Sequence, residues 1–228
     1  MSQPLRLAVF DIDGTLLDSR HNIARAVVEA SRMVGLPEPA PDAVPRVVGL
    51  SLDEALAQLF PAADRSILGA LDRAYRDCFV RYRAEAGYEE PLFPGTLEVL
   101  HALDAAGVML AIATGKARRG VDFFLDRHGL TGRFVSIQTP DSAPGKPHPG
   151  MVLQAMTATG ANPDATVMIG DTTYDILMAR AAGAHAVGVS WGNHPVSELQ
   201  SVGAHRVIDS LGELLQVIDD LTLPATST

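Results

Sequence analysis

Asp11 and Asp13 stand two positions apart, directly after the apolar run Leu7–Phe10. On an extended backbone a spacing of two points both side chains to one face. Two carboxylates at the end of a buried strand are costly unless something uses or neutralises them. One can attack an electrophile while the other manages a proton. Together they can hold a hard divalent cation through oxygen ligands. Gly14 and Thr15 then supply a turn.

Three more polar clusters follow apolar stretches. Met109–Ala113 runs into Thr114, Gly115 and Lys116. Residues 145–149, Gly-Lys-Pro-His-Pro, come a short loop after the apolar region 134–137. Residues 167–169 run into Gly170, Asp171, Thr172, Thr173, Tyr174 and Asp175. In a parallel sheet the C-terminal ends of the strands gather on one edge, where ligands bind. The sequence therefore predicts one cluster of Asp11, Asp13, Thr114, Lys146, Asp171 and Asp175.

The four motifs, in this order and at these separations, resemble those of the haloacid dehalogenase-like hydrolase superfamily, and within it the phosphoglycolate phosphatase group. The resemblance spans nearly the whole chain, including an insert after the first motif. It implies an α/β fold: a Rossmann-like parallel sheet of order 3-2-1-4-5 with an inserted α-helical cap. It also implies a phosphatase that uses Mg2+ and an aspartyl-phosphate to hydrolyse a small phosphorylated metabolite such as phosphoglycolate.

On this resemblance Asp11 is the nucleophile, a role open to carboxylates. The Mg2+ ligands would be the Asp11 carboxylate, the Asp13 backbone carbonyl and Asp171. The Asp13 side chain then serves as general acid and later general base. A dehalogenase expels halide without a proton, so an acid at position 13 points to phosphoryl transfer. Thr114, Gly115 and Lys146 are the phosphate-binding set. Asp175 would orient Lys146 or a metal-bound water. Arg46 and Arg20 are candidates for the substrate's tail, Arg46 being equally readable as a solvated arginine. Lys116 is left open between the site and the surface, and residues 191–195, which follow the fifth strand, read as a structural loop or as a border of the site.

Positioning these groups requires two kinds of texture. Residues 1–17 and 91–222 alternate strand and helix patterns and form the expected core, with strands near 109–113, 134–137, 167–169, 186–189 and 206–208. Thr96 would cap a helix there, and another is expected over 173–182. Residues 19–88 show no strand pattern and form the expected cap. Asn22 would cap its first helix, and four prolines between 37 and 45 mark an irregular connection. Ser51 and Glu54 form a capping-box pattern. A longer helix then carries Ile67, Leu71, Tyr75, Cys78, Phe79 and Tyr82 on one stripe. Residues 223–228 read as a flexible tail.

Bulk composition narrows the function classes. The chain has 228 residues, is 47% hydrophobic and carries a formal charge of −9, which disfavours nucleic acid as a partner. No apolar stretch of about 18 residues suggests a membrane span, and the first residues lack a secretory pattern. A cytoplasmic monomer or homodimer is expected. Cys78 reads as a buried apolar thiol. The histidines show no zinc-ligand spacing. Residues 19–88 contain no lysine, which argues against a Schiff-base phosphonate hydrolase and against a sugar phosphomutase. A pyrophosphatase remains an alternative. A non-catalytic relative would be expected to lose a motif residue, and none is lost.

Overall fold

The computed structural model describes residues 5–223; nearly all of the expected tail lies outside them. Six parallel strands form one sheet: β1 (Leu7–Phe10), β2 (Met109–Ala113), β3 (Ser136–Gln138), β4 (Thr166–Gly170), β5 (His185–Val189) and β6 (Arg206–Ile208). Their order is β3-β2-β1-β4-β5-β6. The expected order 3-2-1-4-5 holds, with a sixth strand added beyond β5. In the register, Leu7 pairs with Met109 on one side and Thr166 on the other. All three motif-bearing strands therefore end level with one another.

Both faces of the sheet are covered, which explains why the strands read as continuous apolar runs. Ala8 and Phe10 point into one layer with Val99, Leu103, Phe124 and Ile218. These come from α5 (Thr96–Ala105), α6 (Arg118–Arg127) and α10 (Leu214–Thr222). Leu7 and Val9 point into the opposite layer with Val152, Ile176 and Leu199. Those come from α7 (Gly150–Thr159), α8 (Thr173–Ala181) and α9 (Val196–Ser201).

Between β1 and α5 the chain builds four helices: α1 (Arg20–Met33), α2 (Ala43–Val47), α3 (Leu52–Leu59) and α4 (Arg65–Arg83). They enclose their own apolar cluster of Val27, Ala30, Val44, Leu56, Phe60, Leu71 and Ala74. A second cluster holds Ala26, Cys78, Phe79 and Tyr82, so Cys78 is buried as expected. The two ends of this helical insert leave the core side by side. The Asp18 amide donates to the Pro91 carbonyl at 2.9 Å, and Phe93 N–H donates to Leu16 at 2.9 Å.

Three local readings are corrected. α1 begins after Ser19 rather than at Asn22. Asn22 instead lies inside the helix and donates Nδ2 to the Glu89 carbonyl at 2.8 Å, because the returning segment passes close enough to take that donor. α5 is preceded by Gly95, with Thr96 as its first helical residue. The Thr96 hydroxyl donates backwards to the Phe93 carbonyl at 2.8 Å. The proline-rich connection contains the short helix α2, with Pro45 in its first turn, where a missing N–H is harmless. The capping pattern at α3 is present: Glu54 Oε2 accepts from the Ser51 amide at 3.3 Å and hydroxyl at 2.5 Å.

Among the described residues, no helix is long and apolar enough to cross a membrane. Leu71 is fully enclosed in the helical insert. Leu71→Ala should destabilise the protein by about 2–5 kcal/mol, the range for a buried leucine, measured by equilibrium urea unfolding; a loss under about 1 kcal/mol would mean that the insert's core can collapse around the gap.

Candidate active site

The strand ends deliver a buried charge cluster. Asp11 follows β1, Asp171 follows β4, and Asp175 lies one turn into α8. One oxygen from each carboxylate lies within 4.8 Å of the others. Lys146 reaches in from the loop before α7. Its Nζ is 2.9 Å from Asp11 Oδ1 and 2.6 Å from Asp175 Oδ1. All four residues are at most 1% exposed.

Local sequence fixes each carboxylate differently. Asp175 closes a capping box at the start of α8, accepting on Oδ2 from the Thr172 amide at 3.0 Å and hydroxyl at 2.7 Å. That leaves Oδ1 for Lys146. Asp171 accepts on Oδ1 from Thr15 Oγ1 at 3.1 Å. Its Oδ2 accepts from Asn193, backbone at 2.8 Å and side chain at 2.7 Å. Gly14 has φ +87°, and a Cβ there would strike the Asp171 carboxylate. Glycine is thus required twice over, for its backbone conformation and for the space that Asp171 occupies.

Burial pushes the Asp11 carboxyl up to about 6, against the pull of Lys146. Burial pushes Asp171 up to about 7, with Asp175 and Asp11 adding repulsion and Asn193 opposing it. For Lys146, burial works against the charge, but Asp11 and Asp175 outweigh it and hold the group above the ordinary lysine range. One ammonium therefore touches two of the three buried carboxylates. The ion-pair contacts are close but not aligned as hydrogen bonds, so both Asp11 oxygens keep unused accepting capacity.

These observations fit a hard divalent cation. The donors are all oxygen, as Mg2+ prefers, and Asp11 Oδ2 is buried with no partner. Asp11 and Asp171 belong to the expected ligand set. Asp175 joins the same carboxylate group, although its oxygens already serve Lys146 and Thr172.

The Asp13 side chain stands apart from that group. Its Oδ1 accepts from Ser19 Oγ at 2.6 Å, and both its oxygens lie 2.8 Å from Lys116 Nζ. Lys116 is therefore a site residue rather than a surface one. Thr114 is buried after β2, its amide donating to the Gln138 carbonyl at 3.1 Å and its Oγ1 accepting from the Lys116 amide at 3.2 Å. Gly115 lies against the Gly49 and Leu50 carbonyls of the helical insert, where a Cβ would collide with backbone.

A cavity of about 170 Å³ opens between these residues and the insert. Asp11, Asp13, Thr114, Gly115 and Lys116 line its core side. Neither arginine proposed for the substrate's tail lines it. Arg46 turns outward and places Nη1 2.7 and 2.8 Å from the two oxygens of Glu198 on α9. Its carbonyl accepts from Tyr174 Oη at 2.9 Å. Arg46 thus ties the insert to the core. Arg20 lies near the Gly192 carbonyl at 3.4 Å and Asp18 at 3.7 Å.

Two site residues carried weak signals in sequence. Lys116, one of two lysines in the chain, follows the Thr-Gly pair and was left open. Asn193 sits in the loop after β5 that read as structural or as a border of the site; only its position after a strand end in a parallel sheet singles it out.

The raised carboxyl values give a sign for pH dependence. A carboxyl with a higher pKa folded than unfolded favours folding when protonated, and that contribution is lost as pH rises through the folded value. Asp11 and Asp171 therefore weaken the metal-free protein as pH climbs from about 4 to about 7. A cation bound among them competes with those protons. Added Mg2+ should raise Tm by several degrees more at about pH 8 than at about pH 5. Equal Tm shifts at both pH values would show that the cation does not bind there.

The comparisons with known proteins agree with this geometry. The family model described as haloacid dehalogenase-like hydrolase matches residues 8–189. The chain is 36% identical to "Probable phosphatase IndB" of Dickeya dadantii (strain 3937), over 92% of this chain and 91% of that protein. It is 33% identical to "Phosphoglycolate phosphatase" of Vibrio vulnificus (strain YJ016), over 95% of this chain and 97% of that protein. Among solved structures, a hydrolase from Pseudomonas syringae superposes with a TM-score of 0.84 at 29% identity, over 95% of this chain and 99% of that one. With the motif residues on one sheet edge and the family model covering most of the sequence, the chain belongs to the haloacid dehalogenase-like hydrolases.

Proposed function

We propose that the protein is a Mg2+-dependent phosphatase that hydrolyses a small phosphate monoester through an aspartyl-phosphate on Asp11. The observation that carries this reading is the separation of two carboxylates. Asp11 is buried with a free oxygen beside Lys146, while Asp13, two residues on, is held away by Ser19 and Lys116. One is poised as nucleophile and the other as proton carrier. The relatives named as phosphatases support the same reaction.

In the first step an Asp11 oxygen bonds to phosphorus as the ester oxygen leaves, taking a proton from Asp13. In the second, Asp13 accepts a proton from water, the water oxygen bonds to phosphorus, and Asp11 departs as carboxylate. Bound Mg2+, held by Asp11 and Asp171 with the Asp13 carbonyl, would neutralise the phosphate's charge and let an anionic nucleophile approach. Lys146 supplies a fixed positive charge to Asp11 and the phosphoryl oxygens. Thr114 and Gly115 offer a hydroxyl and an N–H to those oxygens. Asp175 holds Lys146. Lys116 and Ser19 keep the Asp13 carboxyl aimed at the leaving group, a positioning role.

Residues 19–88 act as a cap over a core of residues 1–17 and 91–222, with hinge closure excluding water. The negative charge and the small cavity favour a metabolite over a nucleic acid. Phosphoglycolate is the ester that several relatives' names suggest. A pyrophosphatase is the alternative, since its leaving phosphate would need cations and Arg76, Arg83, Lys116 and Arg119 line the cavity. We place the protein in the cytoplasm as a monomer or homodimer.

Asp11→Asn should reduce turnover of phosphate monoesters to under a few per cent of wild type with the circular dichroism spectrum unchanged, and excess chelator should do the same reversibly. Substantial activity in either condition would overturn the mechanism. Because Arg46 pairs with Glu198 and does not line the cavity, Arg46→Ala should lower kcat/KM by about two- to fivefold, the scale of an exposed ion pair. The loss should be equal for esters with charged and uncharged tails. A selective loss on phosphoglycolate would return Arg46 to the role of substrate reader.

A further inference from the structure

The leaving-group end of the cavity is built from hydrocarbon. Val27 of α1, Val47 of α2, Leu52 and Leu56 of α3, and Tyr75 and Phe79 of α4 form its wall opposite Asp11 and Asp13. Every helix of the insert contributes. Apart from Val47, these side chains pack into the insert's own apolar clusters, and all of them border the space that opens onto the reacting carboxylates.

Four cations, Arg76, Arg83, Lys116 and Arg119, also line the cavity, and the first three already lie against other groups. Arg76 is held by Asp72 at 2.7 and 2.9 Å. The Arg83 guanidinium lies 3.8 Å from the centroid of the Phe123 ring. Lys116 is bound by Asp13. Arg119 is exposed. A glycolate carboxylate set against the apolar wall would lose water there, and a desolvated charge without a partner is strongly disfavoured. An apolar group entering it would leave water for a matched surface.

We propose that the substrate is the phosphate monoester of an alcohol bearing an apolar aliphatic or aromatic group, which lies against Val47, Leu52, Leu56 and Phe79 while the phosphate sits at Asp11. This rests on the phosphatase reading of the same site and adds the class of leaving group to it. The core supplies phosphoryl transfer, and the hydrocarbon wall selects the ester.

The test is a kinetic series with the Mg2+-loaded full-length enzyme: ethyl, n-butyl and n-hexyl phosphate, with phosphoglycolate and p-nitrophenyl phosphate alongside. The n-alkyl alcohols have nearly the same acidity, so the chemical step is held constant while buried surface grows. kcat/KM should rise by up to about fourfold per added methylene, the gain from burying one such group. Hexyl phosphate should exceed phosphoglycolate. Inhibition by n-alkylphosphonates, read against p-nitrophenyl phosphate, should tighten along the same series without any turnover of the inhibitor. Val47→Thr, which places a hydroxyl on the wall at nearly constant shape, should flatten both trends. A flat or falling series, or a preference for phosphoglycolate, would overturn the apolar assignment and leave the phosphatase reading intact. No hydrolysis of any ester, p-nitrophenyl phosphate included, would overturn both.

Discussion

A single buried ammonium set among buried carboxylates is the constraint around which the rest of the site is arranged. Lys146 touches Asp11 and Asp175, and Asp171 lies within the same group. Desolvating that many charges is unfavourable, and their mutual attraction repays it only where geometry and extra hydrogen bonds are good. The surrounding structure supplies those bonds selectively. Asp175 is satisfied by a capping box, and Asp171 by Thr15 and Asn193. Asp11 is left with an unpaired oxygen. A carboxylate kept short of partners in a buried site is one held ready for a ligand or a reaction.

The backbone gives way to those carboxylates. Gly14 turns with a positive φ and leaves the space that Asp171 fills. Gly115 lets the insert's backbone at Gly49 and Leu50 lie directly on the loop after β2. The second contact brings the insert within reach of the charged cluster, and the Arg46–Glu198 pair fastens it from the outside. Exposed ion pairs of this kind hold weakly and are screened by salt. A weak fastening over a close-fitting seam is compatible with opening and closing.

The two halves of the molecule carry different information. The sheet edge holds charged and polar groups placed by strand register and capping boxes. The insert presents branched and aromatic hydrocarbon to the same cavity. The relatives match this sequence across almost their full length at about a third identity. That relation speaks for the shared core chemistry, and the apolar wall of the insert is read from this chain's own side chains.

The parallel core, its strand order, the inserted helices and the gathering of Asp11, Thr114, Lys146, Asp171 and Asp175 were all legible in the sequence. Apart from the strand order, which the family resemblance implied, each follows from short-range pattern: apolar runs of strand length, helix stripes, and polar residues at strand ends that a parallel sheet must bring to one edge. What escaped was set by side chains far apart in the chain. Lys116 reaches Asp13 across 103 positions, and Arg46 meets Glu198 across 152. Asn193 anchors Asp171 from a loop with no motif of its own. Asn22 faces the returning segment at Glu89 and gives up a capping role for it. Sequence alone determined which elements form and which ends they share, because backbone periodicity is local. Only the tertiary structure decided which long side chains meet, because an arginine or lysine can swing through several ångströms and takes whichever partner the packing of distant elements brings within reach.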